Sequence, residues 1–184
     1  MLPDRTTIHL SRPRAVYTLI EIAVIHTPID ALTLAARDGR LCLLHFGARE
    51  PPVRAALQRW YPGESIERRR DPGGAATALA KYFSGDLDIL DTIPVEMNGT
   101  PFQQRVWRAL RMVRAGHTAS YSEIARIIGA PAAVRAVGAA NGANPVAVVV
   151  PCHRIIGSNG TLTGYGGGLR RKEWLLRHEG RRLF

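Results

Sequence analysis

Cys152, His153 and Arg154 follow one another at the end of the apolar run "NPVAVVVP", so a thiol, an imidazole and a guanidinium stand side by side. A cysteine is a working nucleophile only as thiolate, and with a free pKa near 8.5 only about 3% is ionised at pH 7. A base or a cation must raise that fraction. His153 is the nearest base, but neighbours in extended chain point to opposite faces. The sequence therefore favours a relay through water or a bent backbone over direct contact. A histidine base also needs an acid to hold its tautomer. The C-terminal half offers Glu123, Glu173 and Glu179, and spacing alone does not choose among them.

The chain around this triplet divides by charge. Residues 1–97 carry 12 Lys+Arg against 12 Asp+Glu, whereas residues 98–184 carry 13 against 3, so the net +10 sits in the C-terminal half. A positive field confined to one half points to a polyanionic partner, nucleic acid foremost. With 46% apolar and 22% charged residues, the 184-residue chain is an ordinary globular protein and not a disordered one. The stretch "AVYTLIEIAVIHTPI" is broken by Glu21 and His26, too short to span a bilayer, and lacks the order of a signal peptide. Two distant cysteines, Cys42 and Cys152, argue against a disulfide scaffold and for a cytoplasmic, reducing setting.

In the first half, "AVYTLIEIAVI", "ALTLAA" and "LCLLHF" read as strands, with "RDGR" a tight turn between the last two. "PPVRAALQRWY" and "PGGAATALAKYFSG" read as helices, the second closed by Gly85, and "LDILDTIPVEMNG" as extended or loop-like chain. This predicts a small α/β domain, residues 1–97, on an antiparallel sheet. Cys42 reads as a buried structural cysteine. His9, His26 and His45 lack metal-ligand spacing, so neither metal nor cofactor is expected.

Residues 98–184 read as a mostly helical second domain. Thr100 caps a helix with Pro101 first and Phe102, Val106, Trp107 and Leu110 on one face, ended by Gly116. "TASYSEIARIIGAPAAVRAVGAANGANP" then has the layout of a helix-turn-helix: Ser122 caps a short helix through Ile128, "GAPAA" turns, and a second helix runs from about Ala133 to Ala140. Ala136, Gly138 and their neighbours keep the second helix thin, and Arg135 is its one long side chain. A major-groove reader needs several polar side chains for base edges. So thin a helix suits either tight packing in the core or close, sequence-indifferent docking.

A lone Cys-His pair is weakly specific. The assembly "NPVAVVVPCHRIIGSNGTLTGYGGGLRRKEWLL" behind a helix-turn-helix, with "GTPFQQRVWRAL" and "SYSEIA" before it, closely resembles the O6-alkylguanine-DNA alkyltransferases. The resemblance covers roughly residues 99–180 and is weak over the first 97. It implies an RNase H-like N-terminal domain and a winged-helix-like C-terminal one. It implies DNA repair by direct reversal: a methyl or alkyl group passes irreversibly from guanine O6 to Cys152, once per protein, after the nucleotide is flipped from the duplex.

The same resemblance implies each role. His153 deprotonates Cys152 through a water, Glu179 orients His153, and Asn144 braces the turn before the active-site strand. Arg135 enters from the minor groove as a finger, with Ala136 and Gly138 on its helix against DNA, and Tyr121 crowds the 3′ phosphate. Tyr165 covers the base, the Gly166 amide donates to O6, and Gly167, Ile155 and Lys172 complete the pocket. Gly166 stands where the human-type pattern has serine, and Ala147 where it has proline. The implied partner is double-stranded DNA bearing O6-alkylguanine, bound by a monomer capable of cooperative assembly, with no membrane. Three other classes compete: a flipping protein that recruits repair, which lacks the cysteine; a helix-turn-helix regulator; and a cysteine hydrolase.

Overall fold

The computed structural model describes residues 18–180. His9 and residues 15–17 of the first expected strand lie outside them. Strand β1 (Leu19–Thr27), β2 (Asp30–Arg37) and β3 (Arg40–Phe46) form an antiparallel meander. Asp38 and Gly39 turn the second hairpin with φ of 49° and 70°, the left-handed pair that a twisted two-residue turn requires. Helix α1 (Glu50–Trp60) follows, and then β4 (Ser65–Arg68), which the sequence reading missed. β4 pairs parallel to β1, so the sheet runs β3-β2-β1-β4 and is antiparallel only in part. "SIER" is short, edge-placed and mostly exposed, and four such residues give no periodic signal.

The ladder between β2 and β3 slips at Ala35/Ala36, leaving Cys42 as an extra residue between Leu41 and Leu43. The bulge turns Leu41 and Leu44 to one face of the sheet and Cys42 and Leu43 to the other. Ile20, Ile22, Cys42 and Leu43 pack on Val53 and Leu57 of α1. Leu32, Leu34, Leu41 and Leu44 face the larger core, shared with Trp107, Val137, Val150 and Leu175 of the second half. Cys42 donates to the Ala35 carbonyl at 3.3 Å, and burial pushes its thiol up to about 12.

The expected helix over "PGGAATALAKYFSG" is two pieces. Gly73 (φ 55°) and Gly74 (φ 75°) break a 3₁₀ turn, Pro72–Gly74, from α2 (Ala75–Phe83). Residues Leu87–Thr92 form another 3₁₀ turn within the stretch expected to be extended or loop-like. Helix α3 (Pro101–Leu110) opens with a capping box, Thr100 against Gln103, and stops at Leu110, before the expected Gly116.

Two further helices, α4 (Tyr121–Ile127) and α5 (Val134–Gly142), pack on each other and on α3. The cap of α4 is Ser120 and not Ser122: Ser120 accepts from the Glu123 amide while Glu123 accepts from the Ser120 amide. "SYSE" contains two serines, and only Ser120 stands three residues before the glutamate that closes the box. α5 starts and ends one to two residues later than expected. Trp107 Nε1 donates to the Ala140 carbonyl at 2.7 Å, fixing α5 on α3.

The valine run is buried but is not a strand. Val148 adopts φ 70°, and the Val150 amide bonds back to the Val146 carbonyl at 2.9 Å. Only Val146 meets the sheet, in a single bridge to Leu44. An apolar run satisfies a core position whatever its backbone, provided its polar groups find partners. A 3₁₀ turn, Cys152–Arg154, follows, and then β6 (Ile155–Ile156). β6 pairs parallel with β5 (Ala119–Ser120), the two residues just before α4. That ladder ties the start of the helix-turn-helix to the end of the Cys-His-Arg turn. Helix α6 (Leu169–His178) completes the described chain.

Candidate active site

Cys152 opens its 3₁₀ turn at 5% exposure, at a cavity of about 300 Å³. Asn144 holds the sulfur in place. Its Nδ2 donates to the Val150 carbonyl at 2.7 Å and to Cys152 Sγ at 3.1 Å, while its Oδ1 accepts from the Val146 amide at 3.0 Å. One side chain thus braces the turn and hydrogen-bonds the sulfur. Burial raises the thiol pKa, and the Asn144 donor and the nearby Lys172 charge oppose that rise.

His153, the next residue of the turn, is fully buried. Its Nε2 lies 3.0 Å from Glu179 Oε1, and its Nδ1 has no protein partner. A carboxylate at Nε2 makes that nitrogen the donor, which leaves the Nδ1 lone pair as the basic site. Burial lowers the His153 pKa, and the bond to Glu179 works against that. A buried imidazole held neutral can take a proton at pH 7.

Glu179 follows the last turn of α6 and is the acid that spacing left open. Arg154 grips it twice, Nε to Oε2 at 2.9 Å and Nη2 to Oε1 at 2.8 Å, and also reaches the Val113 carbonyl. Burial would raise the carboxyl, but His153 and Arg154 outweigh it and hold the pKa at about 2. Gly116 (φ 76°) lies beneath this residue, and a Cβ there would meet the Glu179 carbonyl oxygen at 3.1 Å. The other two acids are elsewhere: Glu123 is in the α4 capping box and Glu173 pairs with Arg177.

The cavity is lined by Asn144, Cys152, Tyr165, Gly166 and Gly167, with Leu44, His45 and Phe46 on the sheet side. Ile155 and Lys172 do not reach its lining. Lys172 is fully buried behind it, with Nζ donating to the carbonyls of Ile155 and Thr163, and burial brings it down to about 8. Gly167 is required by the wall: a Cβ would come within 2.5 Å of Phe46 and 2.7 Å of Tyr165. Phe46 meets Tyr165 edge-on at 6.0 Å, and Arg171 caps Phe46 at 4.9 Å while pairing with Asp30. Contacts such as that of Phe46 with Gly167 leave no mark in the pattern of β3, so Phe46, Arg171 and His45, weighed only as a metal ligand, were not legible as pocket residues.

Tyr121 opens α4, and Gly138 of α5 faces it: a Cβ there would sit 3.8 Å from the Tyr121 ring. The Tyr121 hydroxyl accepts from Thr163 at 3.4 Å, which links α4 to the pocket loop. Arg135 and Ala136 are exposed, and Arg135 makes no ion pair among the described residues.

Residues 101–181 match the family model described as the 6-O-methylguanine DNA methyltransferase DNA-binding domain. A methylated-DNA-protein-cysteine methyltransferase of Shigella flexneri is 55% identical over 159 residues, covering 85% of this chain and 93% of the relative. The chain belongs to this methyltransferase family. Among solved structures, the Mycobacterium tuberculosis O6-methylguanine methyltransferase is 44% identical with a TM-score of 0.71, covering 89% of this chain and 95% of the other. Mycobacterium tuberculosis OGT in complex with DNA is 43% identical with a TM-score of 0.70, covering 88% and 92%. Cys152, His153 and Glu179 lie buried beside a cavity with aromatic and glycine walls. Among the described residues, no helix is long and apolar enough to cross a membrane.

Proposed function

We propose that the protein repairs DNA by moving an alkyl group from guanine O6 to its own Cys152. The observation that carries this reading is the buried relay, Cys152 beside Asn144 and His153 bound to Glu179, in a chain of this family. His153 Nδ1 takes the thiol proton through a water. The thiolate attacks the alkyl carbon in line; the C–S bond forms as the C–O bond breaks, and its electron pair stays on guanine. The Gly166 amide donates to O6, and the guanine anion takes up at N1 the proton that the thiol gave to His153, returned through water, which restores the ordinary lactam. The product is a thioether, which no thiol exchange reverses, so each molecule acts once.

The lesion oxygen lies within the base stack, so the nucleotide turns out of the duplex into the cavity beside Tyr165. Arg135, exposed on the thin helix α5 and without an ion pair among the described residues, fills the space it leaves, approaching from the minor groove. Tyr121 bears on the flanking phosphate, with Ala136 and Gly138 allowing close approach. Residues 98–184 act as a winged-helix-like DNA-binding unit and residues 1–97 as an RNase H-like support, in a cytoplasmic monomer that can assemble along DNA. The test is stoichiometry. With duplex O6-methylguanine in excess, transfer should plateau at one methyl per protein. Continued turnover, or binding without transfer, would overturn the reading in favour of a hydrolase or a recruiting protein.

A further inference from the structure

The donor that completes the Glu179 carboxylate comes from the other half of the chain. Tyr82, near the end of α2, is fully buried, and its hydroxyl donates to Glu179 Oε1 at 2.8 Å. The same oxygen takes His153 Nε2 at 3.0 Å and Arg154 Nη2 at 2.8 Å. We propose that Tyr82 is a positioning residue for alkyl transfer, its phenol fixing which carboxylate oxygen faces His153 and tempering the charge that oxygen presents. The inference rests on the relay described above and adds to it a member that no motif in "AKYFSG" announces.

The phenol is well suited to the task. Burial raises its pKa, and the adjacent Glu179 charge raises it further, so it stays a donor throughout the working pH range. Its ring is held on α6 from several sides. The Tyr82 carbonyl lies 2.8 Å from His178 Nε2, the two rings meet edge-on at 5.0 Å, and Trp174 stacks on His178 at 4.9 Å. The titratable and charged groups around His153 and Glu179 are Cys152 and Arg154 from the 3₁₀ turn, Lys172 and His178 from α6, Tyr165 from the pocket loop, and Tyr82 from α2. Among the described residues, Tyr82 is the one hydroxyl donor to the carboxylate. Removing its oxygen alone leaves the packing and makes the carboxylate more basic, so His153 becomes protonated at higher pH and stops acting as base sooner on acidification.

Single-turnover methyl transfer from an O6-methylguanine duplex, followed from pH 5 to pH 9 beside melting temperature, separates the possibilities. Tyr82→Phe should fold, lose on the order of tenfold in rate at neutral pH, and move the acid limb of the rate profile to higher pH. Glu179→Gln should move that limb the opposite way, since His153 loses its counter-charge. Phe83→Leu loosens the same interface without touching the carboxylate, and should lower the melting temperature while leaving the limb in place. A limb unmoved in folded Tyr82→Phe but moved in Glu179→Gln overturns the role of Tyr82 alone. A limb unmoved in Glu179→Gln overturns the relay itself. Should Tyr82→Phe fail to fold, 3-fluorotyrosine at position 82 keeps the shape and strengthens the donor; the limb should then move to lower pH, and no movement overturns the proposal.

Discussion

The C-terminal half places Asn144, Cys152, His153 and Glu179 at the site from one continuous, basic segment, whereas the N-terminal half reaches it with Leu44, His45, Phe46 and Tyr82 from two separate elements. In the proposed mechanism the first set carries the reacting sulfur and the groups that tune it. The second supplies a wall and a fixed donor through long-range contacts: the Leu44 amide bonds the Pro145 carbonyl at 2.9 Å, and Tyr82 bonds Glu179. The difference teaches that chemistry can be local in sequence while its geometry is not. A half with balanced charge and no motif still shapes the pocket that the other half fills.

The comparison breaks most sharply at the nucleophile. Cys152→Ala should abolish methyl uptake entirely while DNA binding persists, as read by protein mass and a mobility-shift titration. The next largest effect is expected at the carboxylate. Glu179→Ala leaves Arg154 buried without its partner and should cost about 3–5 kcal/mol in denaturant unfolding. Its pH signature has a definite sign. A carboxyl held at about 2, against 4.5 when unperturbed, adds stability at pH values above 4.5 that is lost as pH falls toward 2. Glu179→Gln should flatten that acid slope.

Smaller effects sharpen the contrast between the halves. Arg135→Ala should slow repair of duplex DNA roughly 10- to 100-fold and hardly change transfer from a free alkylated base. Equal losses on both substrates would remove the finger role. Phe46→Ala opens the wall against Tyr165 and Gly167, and should raise the rate for a benzyl adduct relative to a methyl one in competition assays. Cys42→Ala should leave transfer unchanged and cost about 1 kcal/mol of stability, since its thiol is buried in a sheet bulge with a pKa pushed to about 12.

What was legible in the sequence follows the same division. The three strands of the meander are apolar runs of seven to nine residues and the "DG" turn names its own geometry, so they were readable. The edge strand "SIER" is too short and too polar to announce itself. The valine run misled, because apolarity reports burial and is silent on the φ of Val148. At the site, Cys152 and His153 stood out because they adjoin in sequence, whereas Asn144 and Glu179 could be read only through the family resemblance. Phe46 and Tyr82 were not, since an aromatic residue in a strand or a helix reads as core whether or not its edge or its hydroxyl meets a reacting group.

The most direct test of the account is the mass of the peptide that carries Cys152 after stoichiometric incubation with duplex O6-methylguanine. The account predicts one added methyl, on that sulfur, with Cys42 untouched. An unmodified Cys152, with the lesion intact or the methyl found on another residue, would contradict it.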